Sequence, residues 1–155
     1  MGKAVEHLVA SMCVLGTGGE LNAWTSIVDD EGVDVVLQRR RHPETLALQV
    51  KSRFTTAKGI AEKQRFHTQV RKATLQPRKE LYLLFVVVDP SALALQTIWI
   101  VPSRPFVKEA PLSPHSKYKF IASAKEGTGD KWAKYLVAPG DAPQRLLSLV
   151  KALKS

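Results

Sequence analysis

Cysteine is almost absent from this chain of 155 residues, and Cys13 stands alone. One thiol cannot build a disulfide framework or a zinc cluster of several thiolates, and in an apolar helical setting it reads as core. The chain also lacks any apolar run approaching the roughly 20 residues that a membrane span needs. Its first residues hold one lysine and then an amphipathic segment interrupted by Glu6 and His7, without the apolar stretch of a secretory signal, so a cytoplasmic setting is expected. Other signatures are missing too. Gly16-Thr17-Gly18-Gly19 follows a helical stripe and lacks the Gly-Lys-Ser/Thr ending of a phosphate loop, so it reads as a helix stop. His7, His42, His67 and His115 show no metal-ligand spacing, and Ser11, Ser26 and Ser103 lack a nucleophile-elbow context. Trp24, Trp99 and Trp132 read as core or interface residues. No repeat, low-complexity tract or linker interrupts the chain, which predicts one domain over residues 1–155.

Acidic residues are scarce outside the first 36 positions. Those positions hold one base, Lys3, against Glu6, Glu20, Asp29, Asp30, Glu31 and Asp34, a net of −5, while the remainder carries +14. A few carboxylates set against a basic body suit a protein that holds a metal ion beside a polyanion.

With 45% hydrophobic residues there is enough apolar material for a core. Val5, Leu8, Val9, Met12 and Cys13 recur at three and four, which predicts a helix over Lys3 to Leu15. Leu21 to Val28 and Val33 to Gln38 read as strands joined by the turn Asp29-Asp30-Glu31-Gly32. A longer turn, Arg39 to Thr45, leads to a third strand from Leu46 to about Arg53. Residues 55–79 read as helical from Ile60 to Leu75, ending at Gln76-Pro77. The apolar run Leu81 to Val88 predicts a central strand covered on both faces. Thr97 to Val101 is a further strand, Pro102 to Pro114 a proline-spaced segment, Tyr118 to Ala122 a short strand, and Pro143 to Leu153 the last helix. The order predicts an α/β domain whose sheet is covered by helices.

Four residues in this layout point to chemistry. Strand alternation puts Gln49 and Lys51 on one face, opposite Leu48 and Val50. Asp34 interrupts a valine-rich strand, and a meander can place it beside Gln49 on the neighbouring strand. A carboxylate there is costly to bury unless a cation or a donor meets it. Glu6 lies at the border of the helical stripe, from which it can reach the sheet edge. Glu6, Asp34 and the Gln49 amide oxygen form the hard-oxygen donor set that Mg²⁺ or Mn²⁺ accepts, and Lys51 adds a positive charge beside them. At a phosphodiester this combination predicts metal-dependent hydrolysis.

The helix bearing Glu6, Asp34 before the hairpin crossing, and Gln49-Val50-Lys51-Ser52-Arg53 together resemble the PD-(D/E)xK nuclease superfamily, including its restriction-endonuclease-like and archaeal Holliday-junction-resolvase-like members. The resemblance implies an αβββαβ core, a central mixed sheet flanked by helices and, here, a C-terminal helix. It makes Asp34 the metal carboxylate, Gln49 the occupant of the family's Asp/Glu position, Lys51 the lysine and Glu6 the helix acid. Two departures are visible. No proline precedes Asp34, and Gln49 is a neutral amide, the QxK variant, which lowers the charge offered to a metal.

Arg39, Arg40, Arg41 and Arg53, then Lys58, Lys63, Arg65, Arg71 and Lys72, form the expected nucleic-acid surface, binding phosphates by counterion release. Gln64, His67 and Gln69 on the same stretch are candidates to approach the site. The expectation is therefore a Mg²⁺-dependent endodeoxyribonuclease acting on DNA, branched or foreign DNA included, as a homodimer with paired sites for two strands. The alternatives are a noncatalytic nucleic-acid-binding module on the same scaffold and a protein-interaction domain of a defence system.

Overall fold

The computed structural model describes residues 1–27, 32–125 and 127–153. The apolar stripe of the first residues folds as helix α1 (Gly2–Gly16), with Val5, Val9 and Cys13 buried. Burial pushes the Cys13 thiol up to about 12, which makes it an inert core group. The helix stops where Gly18 and Gly19 adopt φ of 59° and 80°, left-handed values that suit glycine. Thr17 Oγ1 donates to the Cys13 carbonyl at 2.7 Å and accepts the Leu21 amide at 3.0 Å, tying the helix end to the first strand.

That strand, β1 (Leu21–Thr25), pairs antiparallel with β2 (Val35–Arg39), which pairs antiparallel with β3 (Thr45–Phe54). The meander is as the sequence predicts, with β1 and β2 shorter than expected and β3 slightly longer. Val28 and the turn residues Asp29, Asp30 and Glu31 lie outside the described residues. After β3 come α2 (Lys58–Lys63), β4 (Arg65–Arg71), β5 (Leu81–Asp89), β6 (Ala94–Pro102), α3 (Ser103–Glu109), β7 (Lys117–Ser123), β8 (Leu136–Val137) and α4 (Ala142–Lys151). The main sheet runs β1-β2-β3-β5-β6-β8; β3 and β5 are parallel and the other pairs antiparallel, so the sheet is mixed. The C-terminal helix α4 falls close to the predicted one.

The helix expected over Ile60 to Leu75 is not formed. Lys58–Lys63 is α-helical, Gln64 ends it at φ 48°, the chain extends as β4, and a single 3-10 turn, Lys72–Thr74, follows. The reason is visible in the residues: Phe66, Thr68 and Val70 are buried while Arg65, His67, Gln69 and Arg71 are exposed, a period of two. Partnership with β7 supplies the burial that overrides helix propensity. The proline-spaced segment after Pro102 contains α3, which tolerates Pro105 in its first turn.

Two cores lie on opposite faces of the sheet. Under α1 and α4, Val5, Val9, Leu37, Leu48 and Leu146 pack with Leu84 and Val86 of β5. On the other face the β4–β7 ribbon covers Leu83, Phe85 and Val87 of the same strand, together with Trp99, Phe106 and Trp132. The run read as a strand covered on both faces therefore serves both cores. Phe85 and Phe120 stack with centroids 3.7 Å apart, and Phe66 meets both edge-on, at 6.0 and 5.7 Å. Among the described residues no helix is long and apolar enough to cross a membrane.

The stack makes Phe120 the ribbon's anchor. Phe120→Ala is expected to cost about 3–5 kcal/mol, read as a lower urea midpoint with unchanged slope.

Candidate active site

β3 is twice as long as β2, and the candidate site lies where the two part. Their register runs Val35↔Leu48 to Gln38↔Thr45. Just beyond it the Asp34 amide donates at 2.8 Å to the carbonyl of Leu48, the register partner of Val35, which holds Asp34 against β3 as β2 leaves the ladder. Past that point β3 continues to Phe54 without β2 beside it. The next inward-facing amide, Val50 N–H, would be an orphan donor, and Asp34 Oδ2 accepts it at 2.6 Å. A side chain thus takes over the ladder where the strand ends, and this fixes the carboxylate.

The alternation expected in β3 is present. Leu48 and Val50 pack into the core under α1, whereas Gln49, Lys51 and Arg53 lie on the other face, registered with Leu83, Phe85 and Val87 of β5. The missing length of β2 leaves a notch, and the first turns of α1 line it from the other side. The result is a cleft of about 310 Å³ bordered by Glu6, Asp34, Gln49, Lys51, Arg53 and Arg71. All four residues singled out in the sequence, Glu6, Asp34, Gln49 and Lys51, are brought to it.

The donor groups are recessed. Glu6, Asp34 and Gln49 are 8%, 7% and 5% exposed. Lys3 Nζ lies 3.0 Å from Glu6 Oε2 in an ion pair and donates to the Ser26 carbonyl at 2.7 Å. Beyond that ion pair Glu6 Oε2 accepts no hydrogen bond, and neither does Gln49 Oε1, although both atoms are buried. Buried polar atoms normally have hydrogen bonds, so the orphaned Gln49 oxygen, on one cleft with the Glu6 and Asp34 carboxylates, fits a hard cation. Among the described residues no three His, Cys, Asp or Glu side chains converge; the donor set is two carboxylates and one amide, low in charge for such a site. Lys51 is half-buried at the rim. Arg53 Nη2 donates to Thr68 Oγ1 at 3.4 Å, and its guanidinium lies 6.0 Å from the Phe66 ring centroid.

The basic residues divide. Arg53 and Arg71 line the cleft. Lys51 and Arg53 share a neighbouring depression of about 420 Å³ with His67, Thr68 and Gln69 of β4. Arg39, Arg40 and Arg41 are not around the cluster as expected: Arg39 ends β2 and Arg40 and Arg41 follow it, roughly 16 Å or more from Asp34 at strand spacing, and Arg39 pairs with Glu20 at 3.4 Å. Lys58 and Lys63 sit on α2 and Lys72 follows β4, none of them in the cleft, while Gln64 opens onto a separate depression with Asp89.

Gly32 and Thr74 line the cleft without having been singled out. Gly32 has φ 69°, and a Cβ there would stand 2.6 Å from the Thr74 carbonyl oxygen. Its place at the end of a turn signalled the backbone freedom but not the close approach.

Removing the Asp34 carboxylate leaves the Val50 amide without its acceptor. Asp34→Ala is expected to destabilise the chain by about 1–3 kcal/mol and to speed hydrogen exchange at Val50, with Asp34→Asn milder on both.

No protein-family model matches the chain, and no curated protein matches it in sequence. Among solved structures, the chain is similar to a bacterial homing endonuclease, I-Ssp6803I, at a TM-score of 0.56 and 13% identity, over 94% of this chain and 91% of that one. At that identity the likeness is one of fold: a mixed sheet flanked by helices is common to a nuclease and to this chain.

Proposed function

We propose that this chain is a metal-dependent endonuclease hydrolysing phosphodiester bonds of DNA, with a QxK variant of the PD-(D/E)xK site. The observation that carries the reading is the convergence of Glu6, Asp34, Gln49 and Lys51 on one cleft, where the buried Gln49 Oε1 accepts no hydrogen bond and the buried Glu6 carboxylate meets only the Lys3 ammonium. The fold likeness to an endonuclease supports it.

Hydrolysis joins a water oxygen to phosphorus and breaks one ester P–O bond, whose oxygen leaves with a proton from solvent. Negative charge builds on the phosphoryl oxygens, and the Lys51 ammonium at the rim stabilises it. Arg53 and Arg71 hold the phosphate backbone in the cleft. The recessed position of Asp34, locked by the Val50 amide, keeps the carboxylate still while substrate enters. Glu6, Asp34 and Gln49 Oε1 would hold Mg²⁺ or Mn²⁺, which supplies Lewis acidity at the phosphoryl group and activation of water. Cutting both strands of a duplex calls for two such centres, hence a homodimer.

One observation favours a second reading. Gln49 brings an amide where a carboxylate would add charge, and a site of low charge suits a DNA-binding module without turnover.

A nuclease assay with Mn²⁺ on single-stranded, duplex and branched DNA separates the two. The enzyme reading expects cleavage, reduced roughly 10²–10³-fold in Lys51→Ala and in Asp34→Asn, with circular dichroism unchanged. Binding without cleavage by the unaltered chain supports the module.

A further inference from the structure

We infer that the outer face of the β4–β7 ribbon is a base-reading surface that lies in the major groove of duplex DNA, alongside the cleft. The inference deepens the proposed nuclease reading and rests on it.

The inner face of the ribbon is committed to the core: Phe66, Thr68 and Val70 on β4 and Phe120 and Ala122 on β7 are buried. Strand alternation turns the other set outward. The antiparallel register pairs Arg65↔Ser123, His67↔Ile121, Gln69↔Lys119 and Arg71↔Lys117. This face holds Arg65, Arg71, Lys117 and Lys119 and no carboxylate. None of the ion pairs among the described residues involves these four cations. Four cations gathered on one face with no carboxylate among them present a positive field to an external anion.

Charge alone would suit any polyanion, and the rest of the face narrows the choice. The major groove of B-DNA admits a two-stranded ribbon. Two strands of seven residues give a ribbon roughly 20 Å long at strand spacing. Outward residues on one strand recur every second position, close to two base-pair steps of about 3.4 Å. Arginine pairs in a fork with guanine O6 and N7, glutamine with adenine N6 and N7, and an apolar side chain meets the thymine methyl. Arg65 and Gln69 supply the first two kinds of contact. Ile121, 45% exposed in the middle of a basic face, supplies the third.

Position completes the argument. His67 and Gln69 share a depression with Lys51 and Arg53, so the reading face begins where the phosphate-handling residues end. A duplex with one phosphate at Lys51 would bring its adjoining groove to β4. The ribbon, a two-stranded sheet separate from the main one, would then set where along a sequence the cleft acts.

The test uses a pool of duplexes with a randomised centre, bound in Ca²⁺, separated by gel shift and sequenced. The full chain is expected to enrich particular bases. Methylating guanine N7 of the pool with dimethyl sulfate, a major-groove modification, is expected to weaken binding about tenfold for each guanine that an arginine fork can no longer grip. Arg65→Ala/Gln69→Ala, both exposed positions, is expected to lose enrichment at the bases they address and to become indifferent to methylation there, with its thermal melt unchanged. Arg40→Ala/Arg41→Ala, at the far end of the sheet, keeps the enrichment. Duplex binding by the unaltered chain without enrichment and without methylation sensitivity overturns the ribbon's role while leaving the nuclease reading intact, as does enrichment that survives in the ribbon variant. Failure of the unaltered chain to bind or cut duplex DNA at all overturns both.

Discussion

The bond between Asp34 Oδ2 and the Val50 amide, 2.6 Å long, is the interaction on which the rest of the site depends. A sheet strand that ends beside a longer neighbour exposes a row of backbone donors that need acceptors. Here the first such donor is met by a carboxylate. One interaction therefore satisfies the backbone, fixes the acid at the mouth of the notch, and keeps the notch open for α1 to line. Closing the ladder with another pair of β2 residues would satisfy the same amide and remove the cleft. The structural and proposed chemical uses of Asp34 thus reside in one side chain.

The cleft is held from both sides by cores that share one strand. Odd-numbered residues of β5 pack against the ribbon and even-numbered ones against the helices. Gln49 and Lys51 sit on the face whose core is aromatic, where the Phe85–Phe120 stack fixes the ribbon. Arg53, reaching across to Thr68 and Phe66, links that ribbon to the strand that carries the site. The proposed chemistry at β3 and the proposed reading of bases by β4 and β7 thus rest on the same packing. Loosening the ribbon would disturb both.

Much of the site was legible in the sequence because it obeys simple periods. The alternation of Gln49 and Lys51 against Leu48 and Val50, and the meander that brings Asp34 against β3, follow from a strand period of two and a hairpin. The stripe of α1 put Glu6 at its edge. What was not legible depended on distant partners. Residues 65–71 alternate apolar and polar side chains, but they follow helix formers, and the strand that buries their apolar side, β7, lies far down the chain. The extent of β2 was hidden as well: valines at 33 and 35 suggested a strand beginning before Asp34, whereas the ladder begins after it, and that difference is what creates the cleft. Arg39, Arg40 and Arg41 are close in sequence to the start of β3, yet a strand carries its two ends far apart, so proximity along the chain misplaced them.

The most direct test of the proposed cation site follows the metal itself. Mn²⁺ added in substoichiometric amounts to ¹⁵N-labelled protein broadens amide signals near its bound position. The account predicts that Glu6, Asp34, Gln49, Val50 and Lys51 broaden first, ahead of every other described residue. Broadening that begins elsewhere, such as around Asp89, or that spreads evenly with no focus at the fork of β2 and β3, would contradict it.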